Sequence, residues 1–177
     1  MTKPTGLDDD ELSAWRSFVD MHHHLERHLV KHLQRDFGLS DSDFEVLVNL
    51  SEAPGGRLRA FELATATQWE KSRMSHHLGR MEKRGLVRRE ASEARYPDVV
   101  LTDAGRSAIA SAAPANAARV RELFVDVVGP ERLAVIKAAS DDVLDAIRAH
   151  IDDESSSELS GLRQRDDRRD RRPRPRS

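Results

Sequence analysis

The feature that most limits the folds open to this chain is a long helical pattern near its N-terminus. From Leu7 to Phe37 the apolar positions recur at about 100° per residue, which predicts one amphipathic helix. Gly38 is placed to end it. The stripe contains Trp15, Phe18, Val19, His22, Leu25, Leu29, Val30, Leu33 and Phe37. A stripe of this length is more than a small domain can cover alone, so the pattern predicts a helical protein with a partner surface.

Composition supports a mainly helical fold. The chain has 177 residues, of which 38% are hydrophobic, 5% aromatic and 34% charged, so a large β-sandwich core is disfavoured. There is no cysteine, which excludes disulfides and thiolate metal sites. The N-terminus has no apolar signal region, and no stretch approaches the ~20 apolar residues of a membrane helix. These observations predict a cytoplasmic protein that does not contact membranes.

Charge is distributed unevenly along the chain. The net charge is −2, but residues 163–177 hold eight arginines and three aspartates, so the remainder carries −7. Any cationic surface on the folded part must therefore be local. We expect residues 1–6 to be flexible and the Arg/Ser-rich residues 153–177 to be a disordered tail.

The segment 39–102 has the order of a winged helix-turn-helix domain. Ser40 and Asp43 form a capping-box pattern before a second helix, and a short helix is expected at about 60–66. Thr67 with Glu70 predicts the start of another helix, which runs to about residue 84. Two β-like runs, "LVRRE" and "DVVLT", then flank seven residues suited to a hairpin connection.

Residues 103–152 return to helical patterns. Thr102 or Asp103 is the expected cap of a helix that Pro114 should interrupt or kink. The "GPE" sequence predicts a turn before the last helix, which ends near Ile151. We assign 7–37 and 103–152 to a helical dimerisation region.

The predicted helix 67–84 has an unusual outer face. Trp69, Arg73, His76 and Arg80 recur at steps of four, three and four residues, opposite a narrow apolar stripe of methionine and leucine. A face that is cationic and rich in donors suits the DNA major groove, where arginine bonds guanine O6 and N7. The expected DNA contacts on this helix are Ser72, Arg73, Ser75, His76, His77 and Arg80. The alternative is an ordinary solvated surface.

The hairpin that follows would supply the wing of the domain. It carries Arg88, Arg89 and Arg95, and an arginine near the tip could enter an adjacent minor groove. The alternative for Arg95 is a solvated loop charge. Trp69 would stack on a sugar or buttress the hairpin.

The order of these elements resembles the MarR family of bacterial regulators over roughly residues 10–151. The most specific segments are "KSRMSHHLGRMEKRGLVRR" and "VVLTDAGR". The resemblance implies a mainly α fold with a small β-hairpin wing, in which the first and last two helices interleave into a homodimer. The family's wing usually bears Asp-x-Arg, whereas here the matching residues are Glu93, Ala94 and Arg95.

The same resemblance implies a function. We expect a dimeric, ligand-responsive repressor whose two recognition helices lie one turn of double-stranded DNA apart, roughly 34 Å, on a palindromic operator. A small aromatic or anionic effector would bind between the dimer bundle and the winged domain. Trp15, Arg16 and His22 are the candidate ligand-binding residues.

Histidines near the N-terminus leave an alternative open. His24, His28 and His32 are spaced at four residues and could chelate a metal ion, while His22 in an interface could respond to pH. A metal- or pH-responsive regulator is therefore the alternative, and a protein-docking module is a further one. The sequence contains no nucleophile–base pairing, phosphate-binding glycine loop or metal-hydrolase motif, so we predict neither an enzyme nor a cofactor.

Overall fold

The computed structural model describes residues 6–91 and 96–170, with side chains placed as far as Ile151. The chain forms two compact units, of which the first ends at Phe124 and the second begins at Val125. Within the described residues, no helix is both long enough and apolar enough to cross a membrane.

The first two helices end where the sequence predicts, and α1 begins two residues after the predicted Leu7. Helix α1 spans Asp9–Phe37, and Gly38 ends it in the left-handed conformation at φ 65°. Helix α2 spans Asp41–Glu52 after a reciprocal capping box, in which the side chains of Ser40 and Asp43 each accept the other residue's backbone N–H. The predicted caps of both helices are thus confirmed.

The helix-turn-helix differs from the prediction at one boundary. A short 3-10 turn, Pro54–Gly56, leads into strand β1, Arg57–Arg59, and then helix α3, Ala60–Ala66. Helix α4 spans Lys71–Lys83, so it begins four residues later than expected.

Thr67 is the reason for the later start. It ends α3 instead of capping α4, because its hydroxyl donates to the Leu63 carbonyl oxygen at 2.8 Å. Gln68 then adopts a positive φ of 55°, and the Trp69 N–H donates back to the Ala64 carbonyl at 2.9 Å. The backbone of Thr67 is helical, at φ −89° and ψ −4°, whereas an N-cap residue needs an extended backbone, so Thr67 does not cap α4.

A three-stranded antiparallel sheet forms the wing and its base, with the strand order β1-β3-β2. Strand β2 spans Val87–Glu90 and β3 spans Asp98–Leu101, which confirms the predicted hairpin. The sequence did not indicate β1, which pairs Arg57 with Val100 and Arg59 with Asp98.

Helix α5, Asp103–Val120, packs tightly against the base of the wing. Thr102 caps it through the Gly105 N–H, and the Thr102 backbone N–H donates to the Leu86 carbonyl oxygen at 3.1 Å. Gly105 is buried so close to this carbonyl that a Cβ atom built on it would lie 2.0 Å from the Leu86 oxygen. Only glycine fits this contact between α5 and the base of the wing.

One hydrophobic core unites the first unit. It combines side chains from α1 to α5 with the inner faces of β2 and β3. The fully buried large residues include Leu33, Leu39, Leu47, Leu50, Leu63, Met74, Leu78 and Met81. Met74, Leu78 and Met81 form the apolar stripe that the sequence predicts for α4, and they hold this helix against the core.

One helix at the C-terminal end continues where the sequence predicts a break. Helix α5 runs through Pro114 without interruption, although proline removes one backbone hydrogen bond and its ring crowds the carbonyl four residues earlier. The alternative expectation, a kink at Pro114, stays a prediction. A π-helical stretch, Arg121–Val125, follows, and then helix α6, Asp126–Val128.

Helix α7 spans Pro130–Asp170, whereas the sequence predicts disorder from residue 153. Among residues 152–170, seven are glutamate, arginine or glutamine and ten are aspartate, serine or glycine, so helix propensity does not explain the extension. Residues 171–177 lie outside the described range, and the assignment of the end helices to dimerisation stays a prediction.

Candidate nucleic-acid interface

The outer face of α4 collects small polar and cationic side chains. Its inner face is defined by burial of Met74, His77, Leu78 and Met81. At about 100° per residue, the positions directly opposite are Ser72, His76 and Lys83. The exposed residues of the helix are Lys71, Ser72, Arg73, Ser75, His76, Arg80 and Lys83. The face contains no exposed carboxylate within α4, so its charge is of one sign.

The centre of this face is shifted from the predicted one. The sequence pattern was centred on Trp69, but Trp69 lies before the helix, is half-buried, and packs against the core. Arg73 and Arg80 therefore flank the outer face, and Ser72 and His76 occupy its middle. The ring of Trp69 contacts His77 and Arg73, and its predicted roles in stacking on a sugar or supporting the hairpin stay predictions.

The sequence predicts His77 as a DNA contact, but its side chain is buried. It is only 4% exposed and faces α2, where its Nε2 lies 3.3 Å from Asp43 Oδ1. Its ring meets Trp69 edge to face at 5.3 Å, and its Nδ1 accepts from Arg80 Nη2 at 2.8 Å. His77 therefore holds α4 in place and does not face a ligand.

Asp43 is the centre of a buried polar cluster at the end of α4. Its Oδ2 accepts from Arg84 at 2.6 Å, and Arg84 also donates to the Gly38 carbonyl oxygen at 2.9 Å. Burial raises the pKa of the Asp43 carboxyl, but hydrogen bonds from Arg84 and Ser40 outweigh it and the pKa ends below its usual value. The cluster connects the end of α1, the start of α2 and the end of α4.

Burial also lowers the pKa of His77, and the positive charge of Arg80 acts in the same direction against the attraction of Asp43. Protonation of His77 is therefore easier in the unfolded chain. Above about pH 6.5, the ordinary pKa of histidine, His77 is neutral in the folded and the unfolded chain and does not lower the free energy of unfolding. Below that pH the unfolded chain is protonated first, so the free energy of unfolding falls as the pH decreases. We expect the free energy of unfolding of the wild type to fall more steeply than that of His77→Gln between pH 7.5 and 5.

Urea unfolding at a series of pH values measures this difference. Ser72→Ala on the same helix removes no titratable group and should follow the wild-type profile. Parallel profiles for wild type and His77→Gln would contradict the assignment.

A cleft of about 620 Å³ lies beside the N-terminal end of α4. It is lined by Arg59, Ala60, Phe61, Lys71, Ser75, Arg89, Tyr96, Pro97 and Val99. Arg89 is fixed there by Glu82 of α4, 2.8 Å from its Nη1, and Arg59 lies 3.9 Å from Asp98. The cleft extends the cationic face of α4 onto the sheet. The sequence did not indicate Arg59 or Lys71, since the cleft exists only once the sheet has formed.

Arg88, on the opposite side of β2, pairs with Glu90 and borders a different cavity. Arg95, the predicted minor-groove residue, lies outside the described residues together with Glu93 and Ala94.

The candidate effector-binding residues lie on α1. Trp15 and Phe18 are 56% and 55% exposed, and their rings stack with centres 6.0 Å apart. His22 continues the stack at 6.3 Å from Phe18, and Arg16 is exposed. These side chains form an open aromatic surface within one chain, and their role in ligand binding stays a prediction.

Two of the three histidines proposed for metal binding, His24 and His32, lie near different carboxylates. His24 lies 3.5 Å from Asp20 and is exposed, whereas His32 is buried with its Nδ1 2.8 Å from Asp36. Among the residues that the structure describes, no group of three or more histidine, aspartate or glutamate side chains is arranged to hold a metal ion.

Taken together, a helix-turn-helix followed by a β-hairpin and joined to long helices defines a winged helix-turn-helix protein with a cationic outer helix. A model of the MarR family matches residues 37–95. No curated protein matches the chain.

Solved structures extend the match to most of the chain. AbsC, a MarR family transcriptional regulator from Streptomyces coelicolor, is 41% identical, with 82% of this chain and 99% of that chain covered at a TM-score of 0.78. A second MarR family regulator from Streptomyces coelicolor, solved in complex with DNA, is 34% identical over 82% and 92%, with a TM-score of 0.76. A third, from Silicibacter pomeroyi, is 25% identical over 82% and 97%, with a TM-score of 0.64. The chain belongs to the MarR family of transcriptional regulators.

Proposed function

We propose that this regulator is a homodimeric repressor that binds a palindromic DNA operator through the outer face of α4 and is released by a small-molecule effector. The observation that carries the proposal is the single-signed outer face of α4, with Arg73, Arg80 and Lys83 around Ser72 and His76. The arginines of such a face can donate two parallel hydrogen bonds to guanine, and its short polar side chains can donate hydrogen bonds to phosphate oxygens. A similar protein, the second Streptomyces coelicolor regulator, was solved bound to DNA.

The cleft beside α4 would take the DNA backbone. Lys71, Arg59 and Arg89 place three cations along its walls, and the Ser75 hydroxyl adds a donor. Phosphate contacts of this kind set the position of a protein on DNA without specifying sequence. The wing, including Arg95, would then follow the neighbouring minor groove.

Exposed apolar surface supports a second copy as partner. On α1, Trp15, Phe18 and Met21 are exposed, and on α7 the apolar residues Val135, Val143, Leu144, Ile147 and Ile151 are exposed as well. Apolar surface this extensive is rarely left in water. A symmetric dimer would cover it and present two copies of α4 to a palindrome.

The effector would act through the geometry of that dimer. The two α4 helices can bind DNA at the same time only when they lie one DNA turn apart. A ligand that stabilises any other spacing therefore lowers the affinity of the dimer for DNA. The aromatic stack of Trp15, Phe18 and His22 offers ring faces for an aromatic ligand, and Arg16 is an exposed cation on the same helix.

Selection of binding sites from a random-sequence duplex pool tests the proposal. We expect the purified protein to enrich a palindromic sequence and to bind it as two chains per duplex, with affinity that falls steeply with salt. Arg73→Ala should weaken binding to the selected duplex by at least about tenfold, because one bidentate arginine–guanine contact is worth ~1–3 kcal/mol.

Arg35→Ala is the matched control, since it removes an exposed arginine from the last turn of α1, on the side away from the apolar stripe, where it pairs with Asp36. It should bind as the wild type does. Failure to enrich any sequence, or equal losses in both variants, would refute the assignment of α4 as the recognition helix.

A further inference from the structure

Trp69 is in direct contact with the arginine that we assign to base recognition. The guanidinium carbon of Arg73 lies 4.0 Å from the centre of the Trp69 ring, over its face. Arg73 belongs to no ion pair among the described residues, so the stack is its principal restraint. A guanidinium that lies flat on an aromatic ring keeps its N–H edge available for two parallel hydrogen bonds.

Trp69 is itself held from three directions. Its backbone N–H donates to the Ala64 carbonyl at 2.9 Å, and its indole meets the buried His77 ring edge to face at 5.3 Å. Its side chain is also half-buried and packs against the hydrophobic core. The ring is therefore a fixed platform that belongs to the domain core and not to the surface.

We propose that Trp69 is a positioning residue for DNA sequence recognition, because its stack holds Arg73 in the orientation that bonds guanine. This inference rests on the proposed function. An arginine loses much rotamer freedom when it is fixed on a base, and a stack present before binding removes part of that cost. The benefit applies only where Arg73 meets its correct base, so Trp69 would act on discrimination between sequences and not on general affinity for DNA.

The test compares binding of the selected duplex with binding of a scrambled duplex of the same composition. Trp69→Leu should lower the ratio of the two affinities by about tenfold, within the range of a desolvated cation–π contact. Affinity for the scrambled duplex and the salt dependence should stay within about twofold, since phosphate contacts are untouched. Trp69→Phe retains a ring face and should restore most of the ratio.

A double-variant cycle separates positioning from a structural role. In the Arg73→Ala background, Trp69→Leu should cause no further loss of discrimination. Equal weakening on both duplexes, or additive losses in the double variant, would overturn the inference. A gain of affinity in Trp69→Leu would also overturn it, because the stack would then hold Arg73 away from DNA.

If Trp69→Leu fails to fold, as thermal unfolding would show, Trp69→Met gives the second comparison, since methionine fills more of the same space without a ring. It should lower the ratio of the two affinities as Trp69→Leu would, whereas Trp69→Phe keeps a ring face and most of the ratio. Discrimination in Trp69→Met equal to that of the wild type would refute the platform. Loss of discrimination in Arg73→Ala but not in the Trp69 variants refutes this inference alone, whereas no loss in Arg73→Ala refutes the proposed function.

Discussion

Gly105→Ala is expected to lower the free energy of unfolding by more than ~4 kcal/mol, which few single substitutions do. An alanine inside a helix normally stabilises it relative to glycine by about 1 kcal/mol. Here the added Cβ atom would lie 2.0 Å from the carbonyl oxygen of Leu86, a backbone atom fixed by its hydrogen bond with the Thr102 N–H. Neither backbone can move without breaking the contact between α5 and the wing. Urea unfolding followed by far-UV circular dichroism measures the loss.

Gly79→Ala is the matched control. Gly79 also lies inside a helix, α4, but a Cβ atom there would meet nothing within 4 Å. This variant should therefore gain up to ~1 kcal/mol from helix propensity. If both variants lost a similar amount of unfolding free energy, the clash with Leu86 would have to relax. The loss would then come from replacing a helical glycine and not from the short distance to Leu86.

Asp43→Ala is expected to cost ~2–4 kcal/mol, because removal of one partner leaves buried groups unpaired. The carboxylate is 2% exposed and accepts hydrogen bonds from Arg84 and from the Ser40 backbone. Its loss removes the capping box of α2 and the link from α2 to α4 together. Thermal unfolding at neutral pH gives the change in stability.

Two further variants separate the contributions at this site. Asp43→Asn keeps a hydrogen-bond acceptor and should lose less than Asp43→Ala. Arg84→Ala removes a half-exposed partner and should lose less still, about 1 kcal/mol, since solvent screens its charge. A change below about 0.5 kcal/mol in Asp43→Ala, the ordinary range of surface substitutions, would contradict the anchoring role of the cluster.

The parts of the fold that local chemistry determines could be predicted from the sequence. Gly38 and Thr102 act within a few residues of themselves, and the hairpin strands follow from β-branched residues beside turn residues. The same holds for the apolar stripe of α4, whose period identifies its buried side. Ser72, Arg73, Ser75, His76 and Arg80 are accordingly exposed as expected.

The rest depends on contacts that no local pattern contains. His77 is polar, yet Asp43, more than 30 positions earlier, and Trp69 provide a polar and aromatic site that buries it. Thr67 fits a capping box in sequence, but the turn between α3 and α4 uses its hydroxyl differently. Strand β1 is three residues long, too short for an alternating pattern, and exists because β3 offers it a partner.

The order of the small sheet has a consequence for self-association. Because β3 lies in the middle, β1 and β2 are both edge strands, whose unpaired backbone groups could template pairing with another molecule. Both edges are short, and each carries two arginines: Arg57 and Arg59 on one, Arg88 and Arg89 on the other. Like charges would meet wherever two such edges approached each other. The arginines that make this part of the molecule attractive to a polyanion therefore also protect it against aggregation through its own strands.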